Sequence, residues 1–183
     1  EWHLQGHTDW SMAVNLSTLQ FEQPSLVKTV LDCLTRHSVP PGMLILEVTE
    51  TTAMSNPDES VRVLTALTDA GVKASIDDFG TGYSSLLYLK RLPACELKID
   101  RAFVKELSGE SEDATIVSAI VALAKTLNLK VVAEGVETAA QQTFLTELGC
   151  NTLQGYLLGK PITAQAIMEQ CQHGEMSPPR TRS

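Results

Sequence analysis

Along this chain, short apolar runs with strand-like composition alternate with longer segments whose apolar residues recur at helical spacing. The strand-like runs are MAVNL from Met12, LILEVT from Leu44, KASIDDF from Lys73, ELKID from Glu96, KVVAEGV from Lys130 and TLQGYLLG from Thr152. Helical spacing covers Pro24 to Arg36, Pro57 to Ala70, Ser84 to Leu92, Ala114 to Leu127, Thr138 to Leu148, and a last segment from Thr163. Asn56-Pro57 opens one helix, and Gly71 and Gly149 close two others. The helix after ELKID begins at once with RAFVKEL, and SGESEDA supplies a loop and the N-cap of the next. Strict alternation of strands and helices predicts parallel strands covered by helices, as an open doubly wound sheet or a (β/α)8 barrel. The pattern alone leaves both open.

Length allows one substantial core: 183 residues are too few for two ordinary domains. Residues 1–172 read as that domain, and HGEMSPPRTRS from His173 reads as a tail or linker. An apolar content of 43% with 20% charged residues places the chain among globular proteins. No apolar run has the length of about 18 residues that a spanning helix needs. No Lys/Arg-led signal peptide is present, and the start at Glu1 without a methionine leads us to expect a piece of something longer. A formal charge of -8 argues against a nucleic-acid polymer as partner, since phosphate is drawn to basic patches. Cys33, Cys95, Cys150 and Cys171 lie far apart without CxxC spacing, so buried thiols in a reducing, cytoplasmic setting are expected, and zinc is not. His3 and His7 lack an HExxH context and read as surface residues.

Chemistry collects at the C-terminal strand ends, where both barrels and open parallel sheets build their sites. In order these ends carry Asn15, Glu47 with Glu50, Asp77 with Asp78, Lys98 with Asp100, Glu134 with Glu137, and Gln154. If the strands are parallel, these groups converge on one mouth. Oxygen ligands without His or Cys suit hard ions such as Mg²⁺ or Mn²⁺, and a lysine among them could orient or deprotonate a water. Adjacent Asp77 and Asp78 could bind a pair of ions, one shared, as used for in-line displacement at phosphorus. Blander readings compete. Asn15 could cap a turn before Thr18, Glu50 and Glu137 could cap the helices they precede, and Asp100 could pair with Arg101 or cap RAFVKEL. Phe79, Gly80, Thr81 and Gly82 read as the start of a mobile loop.

MAVNLS, LEVTE, IDDFGTGYSSL, LPACELKIDRAFV, VVAEGVET and LQGYLLGKP resemble, in order and spacing, the EAL-domain family of cyclic di-GMP-specific phosphodiesterases, over roughly Met12 to Glu169. The resemblance implies a TIM-type (β/α)8 barrel, with the first two strands missing from this fragment. It also implies hydrolysis of cyclic di-GMP to linear pGpG by a water that two divalent ions, Mg²⁺ or Mn²⁺, activate. By the same resemblance, Asn15, Glu47 and Asp77 are ligands of one metal, with Asp77 bridging to a second that Asp78 serves. Lys98 positions or deprotonates the water, Glu134 holds metal-bound waters, Gln154 lies on the same wall, and Glu50 anchors the DFGTGYSS loop. The glutamate and arginine of the family's ExLxR motif would precede Glu1. A homodimer through helices near that loop is implied, and the resemblance leaves room for a neighbouring sensory or GGDEF-type domain and a membrane anchor in the parent protein. Its alternative is a catalytically inactive receptor that binds cyclic di-GMP; an enolase-like barrel using the same carboxylates and lysine stands further off.

Overall fold

The computed structural model describes residues 6–82, 85–107 and 111–172. His3, the Tyr83-Ser84 part of the loop, Ser108 to Glu110 of the polar insertion and the C-terminal tail lie outside the described residues. The strands are β1 (Met12–Leu16), β2 (Leu44–Thr49), β3 (Lys73–Phe79), β4 (Glu96–Ile99), β5 (Lys130–Ala133) and β6 (Thr152–Leu153). All neighbours pair in parallel, and their order in the sheet is their order in the chain. A doubly wound sheet reverses direction at a switch point, whereas a barrel wall never does. Six consecutive parallel strands therefore make a curled barrel wall, with β1 and β6 at its edges.

Each crossover carries a helix: α2 (Leu26–Arg36), α4 (Pro57–Asp69), α5 (Leu86–Leu89), α7 (Glu112–Thr126) and α8 (Ala139–Leu148) join successive strands, and α9 (Ala164–Gln172) follows β6. Short helices α1 (Thr18–Phe21), α3 (Glu50–Ser55) and α6 (Arg101–Lys105) start directly after β1, β2 and β4. Helix starts follow local chemistry. Asn56, before Pro57, accepts from the Glu59 amide, Ser111 caps α7, and Thr138 with Gln141 forms a capping box on α8. Gly149 ends α8 in the left-handed conformation at φ 97°, where a side chain would be strained.

The core lies between the outward face of the sheet and the helices. Val48, Ile76, Leu97, Ile99 and Val131 from the strands pack with Leu64, Leu67, Val117, Val121 and Leu145 from the helices. Burial of each such side chain is worth about 1.5–3 kcal/mol. Among the described residues, no helix is long and apolar enough to cross a membrane.

Three strands end earlier than the sequence predicts, ELKID by one residue because Asp100 caps α6. KVVAEGV leaves the sheet at Ala133, and Gly135 then turns at φ 72°. TLQGYLLG pairs only through Thr152 and Leu153, because Gly155 passes against the Val136 backbone and Leu158 and Gly159 bond back to the Gly155 carbonyl.

Candidate active site

Pairing register decides which side chains face the barrel interior. Asn15 stands opposite Glu47, Glu47 opposite Ser75, and Ser75 opposite Glu96, with Lys98 two residues further along β4. These positions share the inner face, since residues paired across parallel strands point the same way. At the C-terminal ends the side chains meet. Lys98 Nζ lies 2.8 Å from Glu47 Oε1, 3.1 Å from Asp77 Oδ1 and 2.7 Å from Glu134 Oε1. Lys98 is only 5% exposed, Asp77 7% and Glu47 8%. Burial alone would push the Lys98 amine down, but hydrogen bonds to Glu134 and Glu47 and the charge of Asp77 outweigh it and hold the ammonium above the ordinary lysine range. In this arrangement Lys98 is a cation and hydrogen-bond donor held among three carboxylates.

Asp77 and Asp78 are adjacent in β3, so regular pleating would send them to opposite faces. The register between β3 and β4 shifts between Ile76 and Phe79, and Asp78 sits in the left-handed region at φ 53°. That bulge takes Asp78 out of the pleat, and its amide donates to Asp77 Oδ1 at 2.9 Å. Asp77, Asp78 and Glu134 each bring a carboxylate oxygen within 4.8 Å of the others. Burial first, then the charge of Asp77 and contact with Asp100, raise the Asp78 carboxyl above its usual range. Three hard oxygen donors, with Lys98 touching two of them and no sulfur or imidazole among them, fit a hard divalent metal ion.

Glu50 opens α3 and is 2% exposed. Its Oε2 accepts from the Gly80 amide at 2.8 Å and the Gly82 amide at 3.4 Å, tying down the chain just after the aspartates. The capping readings are corrected here: Thr49, not Glu50, caps α3, Thr138, not Glu137, caps α8, and Ser17, not Asn15, caps α1. Asp100 caps α6 through the Ala102 amide at 2.6 Å. Gly80 and Thr81 lie beside α6, α7 and the bulge: a Cβ on Gly80 would come within 2.8 Å of Phe103, and the Thr81 hydroxyl donates to the Asp78 carbonyl. Phe79 is buried in the core.

Asn15 on the edge strand β1 is exposed, as is Gln154 just past β6. Gln154 lines an open cavity of about 290 Å³ with Glu134, Glu137, Arg101, Gly155 and Tyr156, directly beside the carboxylate cluster. Sequence reasoning missed Arg101 and Gly155. The signal for Gly155 was its place immediately after a strand-end residue: a Cβ there would lie 2.1 Å from the Val136 carbonyl oxygen. Ser75 and Glu96, hydrogen-bonded at 3.1 Å beneath the site, were also missed, although they lie two residues before Asp77 and Lys98 and therefore on the same face.

Comparison with known proteins places this geometry in a family. The EAL domain family model matches residues 1–161. The chain is 64% identical over 167 residues to the bifunctional diguanylate cyclase/cyclic di-GMP phosphodiesterase MucR of Pseudomonas aeruginosa, covering 91% of this chain and 24% of that protein. It is 46% identical to the cyclic di-GMP phosphodiesterase NbdA of the same organism, over 91% of this chain and 21% of that one. The chain therefore spans about a quarter of the length of these relatives. Among solved structures it is similar to the PaMucR phosphodiesterase in complex with c-di-GMP, with a TM-score of 0.88 over 91% of this chain and 67% of that one, at 64% identity. The EAL domain of Mycobacterium smegmatis DcpA superposes at a TM-score of 0.87, with 38% identity over 94% of this chain and 78% of that one. With its strand order, its buried lysine and its paired aspartates, the chain belongs to the EAL domain family.

Proposed function

We propose that this chain carries the catalytic face of a cyclic di-GMP phosphodiesterase that hydrolyses one phosphodiester to give linear pGpG. The observation that carries the reading is the Lys98 ammonium, within 3.1 Å of Glu47, Asp77 and Glu134 and next to the Asp77–Asp78–Glu134 oxygens. Asn15, Glu47, Asp77 and Asp78 would hold a pair of divalent ions, Mg²⁺ or Mn²⁺, with Asp77 shared. Bound cations supply the positive charge that acidifies water and offsets the phosphodiester anion. Ions that took up Glu47 and Asp77 would free hydrogens of the Lys98 ammonium, which would then orient the attacking water, with Glu134 accepting a hydrogen bond from it. Gln154 and the cavity around it form the wall against which the substrate rests. Glu50 fixes the start of the Phe79–Gly82 loop, which keeps Asp77 and Asp78 aimed inward.

The test is hydrolysis of cyclic di-GMP with Mg²⁺ or Mn²⁺, run on this chain and on a version extended upstream, with the isosteric variants Glu47→Gln and Asp77→Asn. Linear product from the unaltered protein, lowered at least about a hundredfold in each variant, is the expected result. Tight binding of cyclic di-GMP without turnover in the extended protein would make it a receptor instead.

A further inference from the structure

Three threonine hydroxyls lie in a row behind the site. Thr49 Oγ1 donates to Thr52 Oγ1 at 2.9 Å and also accepts from the Thr52 amide at 3.3 Å. Thr52 Oγ1 lies 2.7 Å from Thr18 Oγ1 at the start of α1. Because Thr49 spends its hydrogen on Thr52, the Thr52–Thr18 contact uses the hydrogen of one of those two, and the row is satisfied throughout. Thr52 is 3% exposed, whereas Thr49 is half-buried and Thr18 exposed, so losing the Thr52 hydroxyl removes the one buried link between the other two.

The helix this row holds is weak by itself. α3 has six residues, too few for a helix to persist without tertiary ties. One such tie is the buried Ala53, and another is Thr52 to Thr18. Glu50, two residues before Thr52, is the residue that grips the Gly80 and Gly82 amides. Thr18 stands three residues after Asn15 on the turn that follows β1.

We propose that Thr52 is a positioning residue: the Thr18–Thr52–Thr49 hydroxyl row latches α3 to the turn after β1 and thereby sets where Glu50 holds the loop that follows Asp77 and Asp78. The latch acts through Glu50 and touches neither substrate nor metal. It joins the turn after β1 to the loop after β3, which are not neighbours in the sheet. Its effect on turnover rests on the phosphodiesterase reading, whereas its effect on the loop does not.

The test compares Thr52→Val, which keeps the shape and removes the hydroxyl, with Thr52→Ser, which restores it, in the intact protein. Amide hydrogen exchange at Gly80 and Gly82 reads the Glu50 grip directly. Thr52→Val should speed that exchange about tenfold, the size of one neutral hydrogen bond, with β2 and β3 unchanged. kcat for cyclic di-GMP should fall with KM nearly constant, and Thr52→Ser should return both readouts to within about twofold of the original. Thr18→Val, which removes the β1 end of the row and leaves Thr52 in place, should give the same pattern and serves if Thr52→Val fails to fold. Unchanged exchange at Gly80 and Gly82, exchange raised equally across β2 and β3, or no recovery in Thr52→Ser would each overturn the latch. If the unaltered protein shows no hydrolysis, the phosphodiesterase reading fails and the exchange data still decide this one.

Discussion

The middle of the barrel wall and its two edges solve the same problem differently. In β2 to β5, the groups at the mouth are buried and bonded to one another: Lys98 touches three carboxylates and is almost wholly inaccessible. At the edges, Asn15 on β1 and Gln154 beyond β6 are exposed, and apolar Met12 and Val14 on β1 and Tyr156 and Leu158 after β6 face outward from the same borders. The centre is held by charge pairing that tolerates no missing partner, and the edges by backbone shape. Site residues of one barrel can thus depend on quite different physics.

The sharpest way to break the centre is Lys98→Met. It leaves Glu47, Asp77 and Glu134 facing one another without their cation, and thermal or denaturant unfolding should show a loss of about 3–5 kcal/mol, partly restored by millimolar Mn²⁺. At the edge, Gly155→Ala tests backbone shape. Its Cβ would meet the Val136 backbone at 2.1–2.7 Å, which has no flexible end to yield, so about 1–3 kcal/mol of stability should go and the Gln154 wall should shift.

A smaller effect of opposite sign comes from Asp78→Asn. Burial and the neighbouring charges raise the Asp78 carboxyl, so its ionised form costs folding stability at neutral pH. That cost shrinks as pH falls through the raised native value toward the unfolded value near about 4, where both states are protonated. The amide should therefore raise Tm at pH 7.5 in the absence of divalent ions, and the gain should vanish below about pH 4. Asparagine also tolerates the left-handed backbone there. Smallest is Asn15→Ala, whose exposed position should leave stability within about 0.5 kcal/mol while hydrolysis falls, a split that Lys98→Met should not show.

Much of this was legible in the chain because the relevant physics is local. MAVNL, LILEVT and KASIDDF show their strands by composition and end at the observed boundaries. Once the strands are parallel, Glu47, Asp77 and Lys98 must meet at one end. The misses arose where long-range backbone contacts override pattern. TLQGYLLG is apolar enough for a strand of full length, but its glycine is taken up by the Val136 backbone. α3 is too short for helical periodicity to register, and Thr18 meets Thr52 across a separation of 34 residues that no local reading spans. The common inward aim of Asp77 and Asp78 was legible only as an oddity, two like charges side by side, since the bulge that explains it depends on how β3 pairs with β4.

That bulge governs the aromatic residue as well as the aspartates. Phe79 pairs with Ile99, and Ile76 with Leu97, so both β3 side chains face the helices although they are three positions apart. In an uninterrupted pleat Phe79 would point into the polar mouth. A single residue with positive φ therefore assigns two neighbours to two solvents: the second aspartate goes to the charged interior and the phenylalanine to the oily shell. Any change that returned Asp78 to the ordinary strand conformation would exchange them, emptying the core of an aromatic ring and blocking the mouth with it.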